Sequence, residues 1–108
     1  MTGRRLKSIA FLGDALDRLR AFPEGARKEA GVQLHKVQQG LPPSDWKPMP
    51  MVGSGAAEIR IHDETGAFRV IYIASRDDAV YVLHAFQKKT ERTAKRDLDL
   101  AATRLKLT

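Results

Sequence analysis

An α+β fold, with two N-terminal helices packed on a small antiparallel β-sheet and a C-terminal helix, is what this sequence predicts. Three observations predict it: apolar residues at helical spacing in the front of the chain, three strand-like runs joined by short turn-prone segments in the middle, and an amphipathic stretch at the end.

The elements follow in order. Lys7 to Phe11 is short and reads as an edge strand. Leu12, Ala15, Leu16, Leu19 and Phe22 fall on one helical face, with Asp14 placed to cap free amides. Pro23 suits the first turn of a second helix, whose apolar positions Ala26, Ala30, Leu34, Val37 and Leu41 recur until Gly40 stops it. The connector Leu41 to Gly55 holds four of the five prolines and the only tryptophan, Trp46, so it reads as a loop. Ala57 to His62, Ala67 to Ala74 and Ala79 to Phe86 then read as strands of an antiparallel meander. Leu98, Ala101, Ala102 and Leu105 mark the last helix, which Thr93 is placed to cap.

Composition bounds the function. The 108 residues are enough for one domain, 1–108, and 43% apolar with 30% charged residues is a globular balance. A formal net charge of +6 favours a polyanionic partner. The absence of cysteine excludes a disulfide scaffold, a thiolate metal site and a Cys nucleophile, and fits a reducing cytoplasm. The basic start, Met1 to Lys7, leads only into the short apolar stretch Ile9 to Leu12, which is neither a secretory h-region nor a membrane span. Three scattered histidines lack zinc-site spacing, and no Gly-rich phosphate loop or Ser nucleophile elbow is present, so neither metal nor cofactor is expected.

Strand alternation decides which side chains share a surface. With tight hairpins at Asp63-Glu64-Thr65-Gly66 and Ser75-Arg76-Asp77-Asp78, Arg60 lies opposite Arg69 and Arg69 opposite His84. This gives a polar row at an open end of the sheet. The other face, with Ile59, Ile61, Phe68, Val70, Tyr72, Tyr81 and Leu83, is the one the front helices should cover, while the last helix or the Trp46 loop covers the apolar part of the polar face. Like charges directly opposite destabilise a sheet unless something anionic lies between them, so folding alone would not choose Arg60 beside Arg69.

Such a row suits metal-free RNA cleavage, which needs a base for the 2′-hydroxyl, cations for the phosphate and an acid for the leaving oxygen. Arg60 and Arg69 offer forked donors to one phosphate, and His84 is the natural proton carrier. Lys88 and Lys89 would extend a phosphate track, Phe86 could stack on a base, and Lys47 in the Trp46 loop is a further candidate contact. Structural readings stand beside these. Arg60 could pair with Glu58 or Asp63, Arg69 could pair with Glu58, His84 could be hydrogen-bonded in the fold, Phe86 could be core, and the lysines could be solvated.

Glu58-Ile59-Arg60, Phe68-Arg69-Val70-Ile71-Tyr72, Val82-Leu83-His84-Ala85-Phe86-Gln87-Lys88-Lys89-Thr90 and the closing Ala102-Thr103-Arg104 together resemble the HigB-like branch of the RelE/ParE toxin superfamily, including its phage-derived members. Leu-His-Ala-Phe-x-Lys-Lys-Thr is the most specific segment. The resemblance implies a type II toxin encoded beside an antitoxin that often carries a helix-turn-helix domain and mediates contact with operator DNA. It also implies a ribosome-dependent mRNA endonuclease, with Arg60, Arg69, His84, Lys88 and Lys89 at matching positions. ParE-type relatives offer the alternative of a non-nucleolytic inhibitor of DNA gyrase. Many relatives have proline where Ala94 stands here, which bears only on how sharply the last helix starts.

Overall fold

A computed structural model describes residues 6–108; of the basic start, residues 1–5 lie outside the described residues. The elements are β1 (Ser8–Phe11), α1 (Ala15–Arg20), α2 (Glu24–Gln38), β2 (Trp46–Pro48), β3 (Ala56–Asp63), β4 (Gly66–Ile73), β5 (Ala79–Lys88) and α3 (Lys95–Leu105). They form a five-stranded sheet in the order β1-β5-β4-β3-β2. The expected α+β architecture holds, and β3, β4 and β5 form the antiparallel meander. The sheet is mixed, because β1 runs parallel to β5 at the far edge.

The connector is not wholly a loop. Trp46–Pro48 pairs with β3 as an edge strand, where a proline lacking its N–H leaves no central ladder bond unmade. The expected helix caps are corrected as well. Asp14 makes no capping bond, since its carboxylate is engaged by arginines, and the Thr93 hydroxyl donates to Glu58 instead of capping α3. Gly40, at φ +82°, follows the end of α2, and Leu41 lies beyond it and exposed, not on its apolar face.

Two cores result, one on each side of the sheet. Leu19 and Phe22 with Ala26, Ala30, Leu34 and Val37 pack α1, α2 and their link against Ile59, Ile61, Phe68, Val70 and Tyr72 of β3 and β4 and against Val80 and Val82 of β5. On the opposite side Ala101 of α3, with Leu98 and Leu105 partly buried, packs with Met49, Val52, Ile71, Ile73, Leu83 and Phe86. Tyr81 and Leu83 therefore belong to the α3 side, and Val80 and Val82 to the front-helix side, opposite to the faces expected for them.

The cause is two one-residue changes of register in β5, one already present next to the turn, where Ile73 pairs with Tyr81 and not with Val80, and one within the strand. Ile73 pairs with Tyr81 and Tyr72 with Val82, but Ile71 pairs with His84, so Leu83 is an extra residue at a bulge. Side chains alternate with a period of two, so one added residue reverses every face beyond it. The first half of β5 is thus inverted relative to the simple hairpin, and the half after Leu83 is not.

Candidate functional site

The β3–β4 hairpin turns tightly at Glu64-Thr65, where the Asp63 carboxylate accepts from the Thr65 amide and hydroxyl. That fixes Arg60 directly opposite Arg69, as the sequence implied. The expected pairing of Arg69 with His84 does not form: Arg69 lies opposite Phe86, and His84 lies opposite Ile71. Nor is the row open to solvent. Arg69 is 5% exposed and His84 is fully buried beneath α3, at 0%.

Burying an arginine demands a counter-charge. Arg69 Nε lies 3.5 Å from Oε1 of Glu58, itself buried, and Arg69 Nη1 donates to the Phe68 carbonyl at 2.9 Å. Thr93, just ahead of α3, donates to the second Glu58 oxygen at 3.0 Å and ties the helix start to this pair. Burial pulls the Arg69 pKa below its ordinary value and Glu58 opposes this, while the neighbouring Arg60 adds to the lowering. Arg60 is half-buried, and its Nε has no hydrogen-bond partner. Glu58 thus supplies the counter-charge of the buried Arg69.

His84 is held by α3. Its Nε2 stands 2.7 Å from Oδ1 of Asp97, while Nδ1 is buried without a partner. A doubly protonated ring would strand a buried N–H at Nδ1, so the geometry favours the neutral tautomer with Nε2–H donating to the carboxylate. Burial, the largest influence, pushes the imidazole below its ordinary pKa, and Asp97 pulls the other way. Phe86 stacks on the imidazole with ring centres 5.0 Å apart; it is largely buried, yet it contributes to the wall of the solvent-facing cleft beside α3.

The bulge that brings His84 into this position is secured from the far end of α3. Arg104 Nη1 donates to the carbonyl of the bulged Leu83 at 2.9 Å, and Nη2 reaches Asp14 at 2.6 Å. Asp14 also accepts from Arg18 at 2.8 Å, and these two guanidinium groups hold its carboxyl down to about 2. The clasp needs Gly13: at φ +54° it favours glycine, and a Cβ there would lie 2.5 Å from an Arg104 nitrogen.

What faces solvent is a cleft of about 310 Å³ between the end of β5 and the start of α3. Arg18, Lys88, Lys89 and Arg96 line it together with one carboxylate, Asp97, whose other contact is the buried His84. A second cleft lies beyond the 88–94 turn, lined by Lys47, Met49, Met51, Lys88, Glu91, Arg92, Thr93 and Leu98. Lys88 belongs to both. Of the residues singled out from the sequence, Phe86, Lys88 and Lys89 thus line the first cleft, Lys47 sits in the second with Lys88, and Arg60 lines neither. Among the described residues, no group of three or more His, Asp or Glu side chains is placed to hold a metal ion, and no helix is long and apolar enough to cross a membrane.

Sequence reasoning missed Asp97, Arg18, Arg96 and Arg104. Asp97 falls four residues before Ala101, one helical turn from a core position, which was the signal available for an acid facing the sheet.

The family model described as Phage derived protein Gp49-like matches residues 17–106, a span that contains both clefts and the His84–Asp97 pair. No curated protein matches the chain.

Proposed function

Because the chain belongs to the phage-derived Gp49-like family, we propose that it is the toxin of a type II toxin-antitoxin pair and a metal-independent, ribosome-dependent mRNA endonuclease of the HigB-like kind. The observation that carries the reading is the cationic cleft with a single carboxylate in its wall and an imidazole behind that carboxylate.

The chemistry follows from those groups. Arg18, Lys88, Lys89 and Arg96 neutralise the scissile phosphate and the charge that grows on it. Asp97 takes the proton of the 2′-hydroxyl as its oxygen attacks phosphorus. A 2′,3′-cyclic phosphate forms, the bond to the 5′-oxygen breaks, and a lysine ammonium of the cleft supplies the proton to that oxygen. His84 acts through Asp97, fixing the carboxylate from behind, and the Glu58–Arg69 pair holds the floor on which α3 sits. Arg60, half-buried, is the one member of the expected row left to touch RNA directly. The partners on this reading are mRNA on the ribosome and a cognate antitoxin of helix-turn-helix type, through which alone operator DNA is contacted. The compartment is the cytoplasm.

One observation favours the alternative, a non-nucleolytic inhibitor of DNA gyrase: Arg69 and His84 are withdrawn from solvent, which leaves the basic cleft without an exposed imidazole. Mapping new transcript 5′ ends after induction in cells separates the two. Codon-phased cuts are expected. DNA breaks with intact transcripts would reject the nuclease in favour of the gyrase reading.

A further inference from the structure

We propose that the second cleft is a nucleobase subsite, holding the base of the nucleotide next to the phosphate that Lys88 grips; this rests on the RNA-cutting reading of the first cleft. Its floor is apolar: Met49 is buried, Leu98 is partly buried, and Met51 stands 60% exposed at the mouth. Its rim is cationic, with Lys47, Lys88 and Arg92 against the single carboxylate of Glu91.

Each half of that lining suits one half of a nucleotide. A thioether is polarizable and packs favourably against aromatic rings, and a guanidinium plane such as that of Arg92 stacks on a base. The ammonium groups of Lys47 and Lys88 attract the phosphates on either side without reading sequence. Lys88 lines both clefts, so a strand whose phosphate sits on Lys88 in the first cleft has its neighbouring nucleotide at the second. An excess of cations makes a single-stranded polyanion the complementary occupant, and the apolar floor gives its base a place out of water.

The test uses the full chain with methyl-labelled methionine and two probes of equal length and charge. One is a short 2′-O-methyl RNA, which cannot be cut because its 2′-oxygens are blocked, and the other is the same backbone without bases. The Met49 and Met51 methyl signals are expected to move with the RNA and to stay in place with the abasic strand. Met51→Ala, at an exposed position that leaves folding intact, is expected to weaken RNA binding roughly threefold to tenfold and to leave abasic binding unchanged. Equal methyl shifts with both strands, or wild-type RNA affinity in Met51→Ala, would overturn the subsite. A protein that cuts transcripts while Met51→Ala binds normally removes the subsite and keeps the nuclease. Base-dependent methyl shifts in a protein that leaves transcripts intact do the reverse.

Discussion

The two faces of this sheet are built on different principles. The face under α1 and α2 is filled by aliphatic and aromatic side chains, among them Tyr72, whose hydroxyl burial pushes up to about 12. The face under α3 has an apolar cluster too, yet Glu58, Arg69 and His84 are enclosed there. Buried ion pairs add little to stability compared with apolar residues of similar volume. The comparison teaches that the front-helix face makes the fold, while the α3 face spends stability on holding a cleft in shape.

The largest expected effect breaks the α3 face at its anion. Glu58→Gln leaves Arg69 buried without its counter-charge and should cost about 3–5 kcal/mol in urea unfolding. Glu58→Leu combined with Arg69→Met should recover most of that loss and still fail to cut RNA. Full activity in the folded double variant would show that the pair has no part in shaping the cleft. On the other face, Leu34→Ala should cost about 2–5 kcal/mol and leave RNA affinity unchanged in the protein that remains folded. A shift in affinity at unchanged fold would blur the division between the faces.

A smaller effect is expected at the clasp. Gly13→Ala imposes a left-handed backbone on alanine and displaces Arg104 from Leu83, for about 1–3 kcal/mol, together with changed amide signals around the β5 bulge. Unchanged signals at Leu83 and His84 would detach the bulge from Arg104.

The smallest concerns pH. The folded pKa of His84 lies below the ordinary 6.5, so the unfolded chain takes up that proton first as pH falls. The stabilisation is complete above about 6.5 and is lost below it. The urea midpoint should therefore fall between about pH 7.5 and about pH 5.5, and fall less in His84→Gln. An identical decline in both proteins would mean that His84 is not the titrating group.

How much of this was legible in the sequence depended on how local each cause was. Arg60 opposite Arg69 could be read because Asp63 to Gly66 is a two-residue hairpin whose turn chemistry sits within it. Arg69 misses His84 by two places: one arises at the turn, where Ile73 already pairs with Tyr81, and one at the bulge at Leu83, whose carbonyl is held by Arg104, 21 residues further on, a partner too distant for a strand pattern to encode. The burial of His84 depends on the path of α3 across the sheet, which the amphipathic spacing of Leu98, Ala101 and Leu105 suggested without fixing its position. Trp46–Pro48 is masked by Pro48 and the prolines that flank it in the connector, and an edge strand tolerates such a proline. Lys88 ends β5, two residues past the strand end that the sequence suggests, Lys89 follows it, and both line the first cleft.

The most direct measurement compares the wild-type protein with Asp97→Asn, which keeps an acceptor for His84 Nε2–H and so should keep the fold. Induced in cells, the wild type should arrest growth and create new transcript 5′ ends, while Asp97→Asn, with an unchanged melting temperature, should do neither. Transcript cutting by Asp97→Asn at the wild-type rate would contradict the account.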